Sequence, residues 1–119
     1  MSNLIFVYGT LRSSESRNLV LKDSEYIGIN TTLPKYTMVN LGSFPGILNF
    51  GNTPIVGEIY VVSNSVLEVL DQIEGHPDFY KRKKIDIDHF ENISAYFLDK
   101  DKYASYPEIK SGNWLEEIN

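Results

Sequence analysis

One glutamate in this sequence occupies a helical position where a charge does not favour folding. Ser65 followed by Glu68 fits a capping box with Ser65 as the N-cap, and Gly75 stands where a glycine commonly ends a helix. Within that predicted helix Glu74 follows Leu70 by four residues, so it extends the apolar stripe into the last turn. Partial desolvation and the helix dipole both raise a carboxyl pKa there. The pattern predicts a general acid/base at Glu74, and the alternative is a side chain that turns outward at a frayed end.

The turn after the first predicted strand is a second candidate for chemistry. The apolar run Leu4 to Tyr8 leads directly into Gly9, Thr10 and Leu11. Glycine allows a sharp turn and close approach of a ligand, and the N–H groups that follow can bind a carboxylate or a developing oxyanion. Such turns are also common in purely structural roles. No Gly-Lys-Ser/Thr follows, which excludes a phosphate-binding loop.

Other residue types give weaker predictions. His76 and His89 lack a third ligand nearby in sequence, so we expect surface histidines and no metal site. Tyr80 and Trp114 are by default core aromatic residues. Asp71, like Glu68, is predicted to be a solvated helix residue. The chain has no cysteine, which excludes thiolate nucleophiles and disulfides, and no serine stands in a hydrolase elbow.

Size and charge limit the domain organisation and the partners. The chain has 119 residues, and we expect one domain spanning 1–119. The net charge of −5 argues against a nucleic-acid partner, and the basic run Lys81 to Lys84 is typical of an exposed strand edge. The N-terminal apolar run is too short for a signal peptide, and no run is long enough to span a bilayer. We therefore expect a cytoplasmic protein that has no membrane partner.

The elements that must position these residues are mostly strands. A capped helix is predicted between two strands, a short helix within Ser13 to Lys22, a turn or irregular loop over Gly42 to Gly46, and irregular chain from Tyr106 to Trp114. Hydrophobic patterning predicts strands over Leu4–Tyr8, Tyr26–Thr32, Tyr36–Leu41, Ile55–Val62 and Tyr80–Asp88, and Ala95–Leu98 is a further short apolar run. Many strands with one or two helices indicate an α+β fold with a curled sheet or barrel.

Several short segments together resemble the γ-glutamylcyclotransferase-like family, most closely its γ-glutamylamine cyclotransferase and plant-type AIG2-like branch. These segments occur in the family's order and span nearly the whole chain. Phe6–Arg12 matches the Tyr-Gly-Thr-Leu loop, Gly42–Gly46 matches Gly-x-x-Pro-Gly, and Val56–Tyr60 matches the Gly-Glu strand. Leu70–Arg82 matches Leu-Asp-x-x-Glu-Gly-x-Pro-x-x-Tyr-x-Arg, and Ser111–Trp114 matches the family's usual ending. Ser13 and Ser14 depart from the glycine that the family usually has after this loop. Asn113 replaces a more usual aspartate, a change expected to matter little.

The resemblance implies a mixed β-barrel with flanking helices and an enzyme that needs no cofactor. Its small-molecule substrate would be a γ-glutamyl amide, which cyclises to 5-oxoproline and releases a free amine. Glu74 would be the catalytic acid/base. The substrate site would be formed by Tyr8, Gly9, Thr10, Leu11, Tyr80 and Trp114.

Two other functions remain open from the sequence. The chain could be a non-catalytic ligand-binding or interaction protein on the same fold, since fold does not determine function. It could also be an enzyme that removes a γ-glutamyl protecting group by the same chemistry. The leaving amine is not determined: γ-glutamyl amino acids, γ-glutamyl-ε-lysine and other γ-glutamyl amines all fit.

Overall fold

The computed structural model describes residues 2–13 and 15–118. In these residues the strands and helices are β1 (Ser2–Val7), a 3₁₀ helix (Asn18–Leu21), β2 (Glu25–Thr31), β3 (Tyr36–Asn40), β4 (Pro45–Thr53), β5 (Val56–Ser63), α1 (Asn64–Glu74), β6 (Lys81–Lys84), β7 (Ile93–Phe97), α2 (Lys100–Tyr103) and α3 (Trp114–Ile118). No helix in the described ranges is both long enough and apolar enough to cross a membrane.

The strands form one mixed sheet that forks at β7. The order is β2-β5-β1-β7-β4-β3, and β6 pairs with the other edge of β7. Both β1 and β4 run parallel to β7, with Leu4 opposite Ile93 and Ile47 opposite Phe97. Because β6 occupies one edge of β7, β1 and β4 both pair with the other edge. β1 pairs near the start of β7 and β4 near its end, so β1 and β4 diverge from each other. The mixed, curled sheet with few helices confirms the predicted α+β class.

The two faces of the sheet carry separate apolar clusters. Successive strand residues point to opposite faces, so in β1 Phe6 joins one cluster while Ile5 and Val7 join the other. Helix α1 covers the second face through Leu70, which is fully buried. Glu74, one turn further on, therefore lies close to the sheet as the helix ends.

The N-terminus of α1 differs from the prediction, and its C-terminus agrees with it. The N-cap is Ser63, whose hydroxyl accepts a hydrogen bond from Val66 N at 3.2 Å, so the predicted cap at Ser65 is wrong. Strand β5 runs directly into the helix, so its last residue, still in extended conformation, becomes the cap. Gly75 ends the helix with φ 68°, a left-handed conformation that favours glycine.

Strand β4 was not predicted, because the glycine-rich segment before it indicated only a turn. Pro45 and Gly46 are already paired with β3, so the predicted loop over Gly42 to Gly46 is too long by two residues. Proline is tolerated as the first residue of a strand. Gly46 lies against the Leu98 side chain, which leaves no room for a Cβ atom. The outer half of β4 is mostly exposed, and Phe50 is its one large apolar residue, so it lacks an apolar pattern.

Three other elements are shorter or more regular than predicted. Strand β6 covers only four of the nine residues predicted from Tyr80 to Asp88, although Ile85 and Ile87 are buried, as the alternation indicates. The helix expected within Ser13 to Lys22 is one 3₁₀ turn, and Ser14 lies outside the described residues. Helix α3 begins where irregular chain was expected to end.

Candidate active site

A cavity of about 420 Å³ lies where β1 and β4 diverge. Its walls are the end of β1 with the turn that follows, the loop before β4, the last turn of α1 and the chain just before β6. The cavity brings together most of the predicted site residues, namely Tyr8, Gly9, Thr10, Leu11, Glu74 and Tyr80.

Glu74 is half-buried in the wall of this cavity. Burial raises the pKa of its carboxyl to about 7, an effect that the nearby charge of Arg17 partly offsets. Among the described residues no donor or cation lies within hydrogen-bonding or ion-pair distance of the carboxylate. A carboxyl group with this pKa and no fixed partner can both accept and donate a proton near neutral pH.

A hydrogen-bonded clamp holds the last turn of α1 against β6 and β7. Arg82 binds both oxygens of Asp71, with Nε–Oδ1 2.9 Å and Nη2–Oδ2 3.2 Å, and the Tyr96 hydroxyl donates to Oδ1 at 2.7 Å. Although burial raises the pKa of Asp71, the hydrogen bonds from Arg82 and Tyr96 outweigh it and lower the pKa overall. His76 accepts from Arg82 N at 3.0 Å. Asp71 is therefore not the solvated residue that the sequence indicated, since it fixes the turn that carries Glu74.

Two tyrosines shape the floor of the cavity. The Tyr8 hydroxyl donates to Tyr96 O at 2.6 Å and accepts from Ile47 N at 3.2 Å, so it bridges the fork of the sheet. The Tyr80 hydroxyl donates to Pro45 O at 2.6 Å. Burial raises the pKa of both phenols above the ordinary value of 10.0. Both side chains are therefore neutral at physiological pH and act here by position.

The turn after β1 presents backbone donors along the cavity. In the described part of the chain, the N–H groups of Gly9, Thr10 and Leu11 have no hydrogen-bond acceptor. A Cβ atom on Gly9 would lie 2.8 Å from Pro45 Cγ, so only glycine fits at this position. Successive backbone N–H groups without acceptors are able to bind a carboxylate or an oxyanion.

A buried ion pair whose residues do not line the cavity holds the same turn. Arg12 and Glu58 are 3% and 2% exposed, and Arg12 Nε lies 3.1 Å from Glu58 Oε2. Ser13 N donates to Glu58 Oε1 at 2.7 Å, and Arg12 Nη1 donates to Asn113 Oδ1 at 2.9 Å. Ser13 and Asn113, where the sequence departs from the family pattern, both lie in this network. Sequence reasoning missed the ion pair, although a lone glutamate within an apolar strand was a signal for it.

Trp114 is the predicted site residue that does not line the cavity. It is 3% exposed and belongs to the apolar cluster on the other face of the sheet. Arg17, by contrast, lines the cavity and was not predicted. Nothing in the local pattern marked it, because it lies in a polar segment whose path depends on the turn.

Comparison with known proteins identifies a family for this chain. The family model described as gamma-glutamyl cyclotransferase, AIG2-like, matches residues 5–116. A Vibrio cholerae protein, provisionally named as a gamma-glutamylcyclotransferase, is 32% identical over 118 residues, covering 99% of this chain and 100% of the relative. Gamma-glutamylaminecyclotransferase B of Danio rerio is 36% identical over 115 residues, covering 84% of this chain and 60% of the relative. The crystal structure of an AIG2-like protein from Mus musculus has a TM-score of 0.80 at 24% identity, covering 92% of this chain and 87% of that chain, and so shares the fold.

Proposed function

Because this chain belongs to the AIG2-like gamma-glutamyl cyclotransferase family, we propose that it cyclises the γ-glutamyl group of an amide, releasing 5-oxoproline and a free amine. The observation that carries the proposal is Glu74, a carboxyl group without a fixed partner whose pKa is raised to about 7 in a cavity lined by backbone donors.

The reaction needs no enzyme nucleophile. The substrate's α-amine nitrogen attacks its own γ-carbonyl carbon, a C–N bond closes the five-membered ring, and the original amide C–N bond breaks. The atoms balance without water or a co-reactant. A cavity that holds the glutamyl chain folded supplies the proximity that this ring closure requires.

Glu74 moves the proton between the two nitrogens. As carboxylate it takes a proton from the attacking amine, and as carboxylic acid it gives that proton to the departing amine. A pKa of about 7 suits both steps, because both forms are populated near neutral pH. The clamp of Asp71 and Arg82 supports this role, since it fixes the turn on which Glu74 lies.

The turn at Gly9 to Leu11 would hold the α-carboxylate of the glutamyl group. That carboxylate carries a permanent charge in every γ-glutamyl substrate, so it needs donors wherever it binds. Tyr8, Gly9 and Leu11 are buried, and the only polar donors that the turn offers beside them are backbone N–H groups and the Thr10 hydroxyl. The alternative role for these N–H groups is to stabilise the tetrahedral oxyanion.

The test measures 5-oxoproline by mass spectrometry after incubation with a panel of γ-glutamyl amides. We expect Glu74→Gln to lower turnover by roughly 10²–10⁴-fold, the range typical of a general acid/base. The matched control is Glu68→Gln, which removes an exposed carboxylate from the same helix and should leave turnover unchanged.

Two results would contradict this function. A folded Glu74→Gln protein with near wild-type turnover would exclude Glu74 as the acid/base. Binding of γ-glutamyl compounds without product from any of them would favour the non-catalytic alternative.

A further inference from the structure

We propose that this chain forms a two-fold symmetric homodimer in which the edge strand β2 of one copy pairs antiparallel with β2 of the other. The two sheets join into one across the contact. None of the residues of β2, all of which the structure describes, lines the cavity. The pairing therefore leaves the active site open and does not rest on the proposed function.

The other strands that end the sheet, β3 and β6, have edges that are covered or charged. Segment 107–109 is hydrogen-bonded along β3 through Asn40 N and Ile109 N, each with an N–O distance of 2.8 Å. Strand β6 consists of four basic residues, and one of its backbone donors, Arg82 N, is bound to His76 Nδ1 at 3.0 Å. Such features prevent the edge of a strand from pairing with another chain.

The outer edge of β2 has no comparable protection. Within the described residues the strand partner of β2 is β5, and no further backbone hydrogen bond reaches the residues of β2. The strand contains neither lysine nor proline, and its single charged residue, Glu25, stands at its start. The backbone groups along such an edge are able to bind a further strand.

Exposed apolar side chains are concentrated beside this edge. Ile29 is 63% exposed, Tyr26 and Ile27 are also exposed, and Leu19 of the preceding 3₁₀ helix is 73% exposed. These are four of the eight large apolar residues that are exposed in the described part of the chain. A concentration of this kind marks an interaction surface, whereas a single exposed residue does not.

Two of these side chains lie on one face of the sheet, together with the 3₁₀ helix. Tyr26 pairs with Tyr60 and Ile29 pairs with Glu58. The Tyr60 hydroxyl donates to Glu58 Oε1 at 3.1 Å, so these two partners share a face. Directly paired residues point to the same face, which places Tyr26 and Ile29 there as well. The side chain of Asn18 donates to the Tyr60 hydroxyl at 3.1 Å, which brings the 3₁₀ helix to that face.

The partner that these features select is a second copy of the chain. Two identical strands pair antiparallel about a two-fold axis perpendicular to the sheet, so the apolar side chains of both copies meet on one continuous face. The antiparallel direction places the two Glu25 carboxylates at opposite ends of the contact. Since each copy has a net charge of −5, association is least opposed at a surface whose centre carries no charge.

The regular part of β2 determines where the axis passes. A bulge between Tyr26 and Gly28 interrupts the pairing with β5, and the register is continuous from Gly28 to Thr31. Residues that face each other across the axis must lie on the same face of the sheet, so the axis passes beside one residue. That residue is Ile29 or Asn30, at the centre of the continuous stretch.

Sedimentation equilibrium of the whole chain tests the dimer. Seven residues from each copy make a small contact, so the mass should rise from 13.6 kDa toward twice that value with a Kd of roughly 1–100 µM. Ile29→Lys places like charges near the axis and should stay at 13.6 kDa at all these concentrations. Phe50→Lys, an exposed apolar residue on β4, is the matched control and should associate as the wild type does. Circular dichroism checks that both variants are folded.

Cross-linking tests the pairing itself, because the chain contains no cysteine. Directly opposed residues of antiparallel strands have Cα atoms about 4.5–5.5 Å apart, within the range of about 4.4–6.8 Å that a disulfide spans. On oxidation, Ile29→Cys or Asn30→Cys should form a disulfide-linked dimer. Asn49→Cys, at an exposed position of β4, should remain monomeric.

A wild-type protein that stays at 13.6 kDa at every concentration would overturn the proposal. Association of Ile29→Lys as strong as that of Phe50→Lys would also overturn it. So would a dimer that neither Ile29→Cys nor Asn30→Cys cross-links, because its contact would then lie elsewhere on the surface.

Discussion

Two glutamates near the turn that follows β1 have sharply different surroundings, since Glu74 lines the cavity and Glu58 does not. Glu58 is 2% exposed and accepts hydrogen bonds from Arg12, Ser13 and Tyr60. Glu74, on the cavity side, is half-buried and has no donor within reach among the described residues. A carboxylate whose donors are in place holds the chain together, while one without donors can exchange a proton.

The same contrast applies to the arginines beside them. Arg12 is buried between Glu58 and Asn113, so its guanidinium serves the fold. Arg17, five residues later, is exposed at the cavity and binds no acceptor in the part of the chain that is described. The turn thus has a structural side, on which charges are paired, and a cavity side, on which they are not.

Loss of the structural carboxylate should have the largest effect on stability. Glu58→Gln leaves Arg12 buried without its counter-charge, so the free energy of unfolding should fall by roughly 3–5 kcal/mol. Urea unfolding followed by circular dichroism measures it. Glu74→Gln serves as the matched control, because it breaks no ion pair. Equal destabilisation by the two substitutions would show that Glu58 stabilises the fold no more than Glu74 does.

The pH dependence of the free energy of unfolding tests the raised pKa of Glu74. The pKa of Glu74 is raised from 4.5 to about 7 on folding, so the unfolded chain loses this proton first as pH rises. Wild type should therefore lose stability relative to Glu74→Gln between about pH 4.5 and 7, with no further change above that range. Thermal unfolding of both proteins at pH 5 and pH 8 measures the difference. A difference in Tm that stays constant across this range would contradict the raised pKa.

The smallest effect on stability and turnover is expected at Asn113, which accepts a hydrogen bond from Arg12. Asn113→Asp restores the residue more usual in the family and keeps an oxygen acceptor for Arg12 Nη1. The free energy of unfolding should change by no more than about 1 kcal/mol, and turnover should stay within about twofold. A large loss of turnover would show that the two sides of the turn are coupled.

The sequence predicted the cavity side of the turn better than the structural side, for a physical reason. Glu74 and the glycine turn are marked by spacing within one element, which a local pattern records. The pairing of Arg12 with Glu58, and of Asp71 with Arg82, depends on which elements pack together, and no local pattern contains that information. The same limit explains the missed β4, whose outer half has one large apolar residue, Phe50, and the assignment of Trp114 to the site when it lies in the core.

The most direct test of the central claim is a carbon-13 NMR titration of the glutamate carboxyl carbons in the folded protein. One resonance should titrate at about pH 7 and be missing from the spectrum of Glu74→Gln. The exposed Glu68, assigned in the same way through Glu68→Gln, gives the matched reference. A Glu74 resonance that titrates near the ordinary value of 4.5 would contradict the claim that this carboxyl group exchanges its proton near neutral pH.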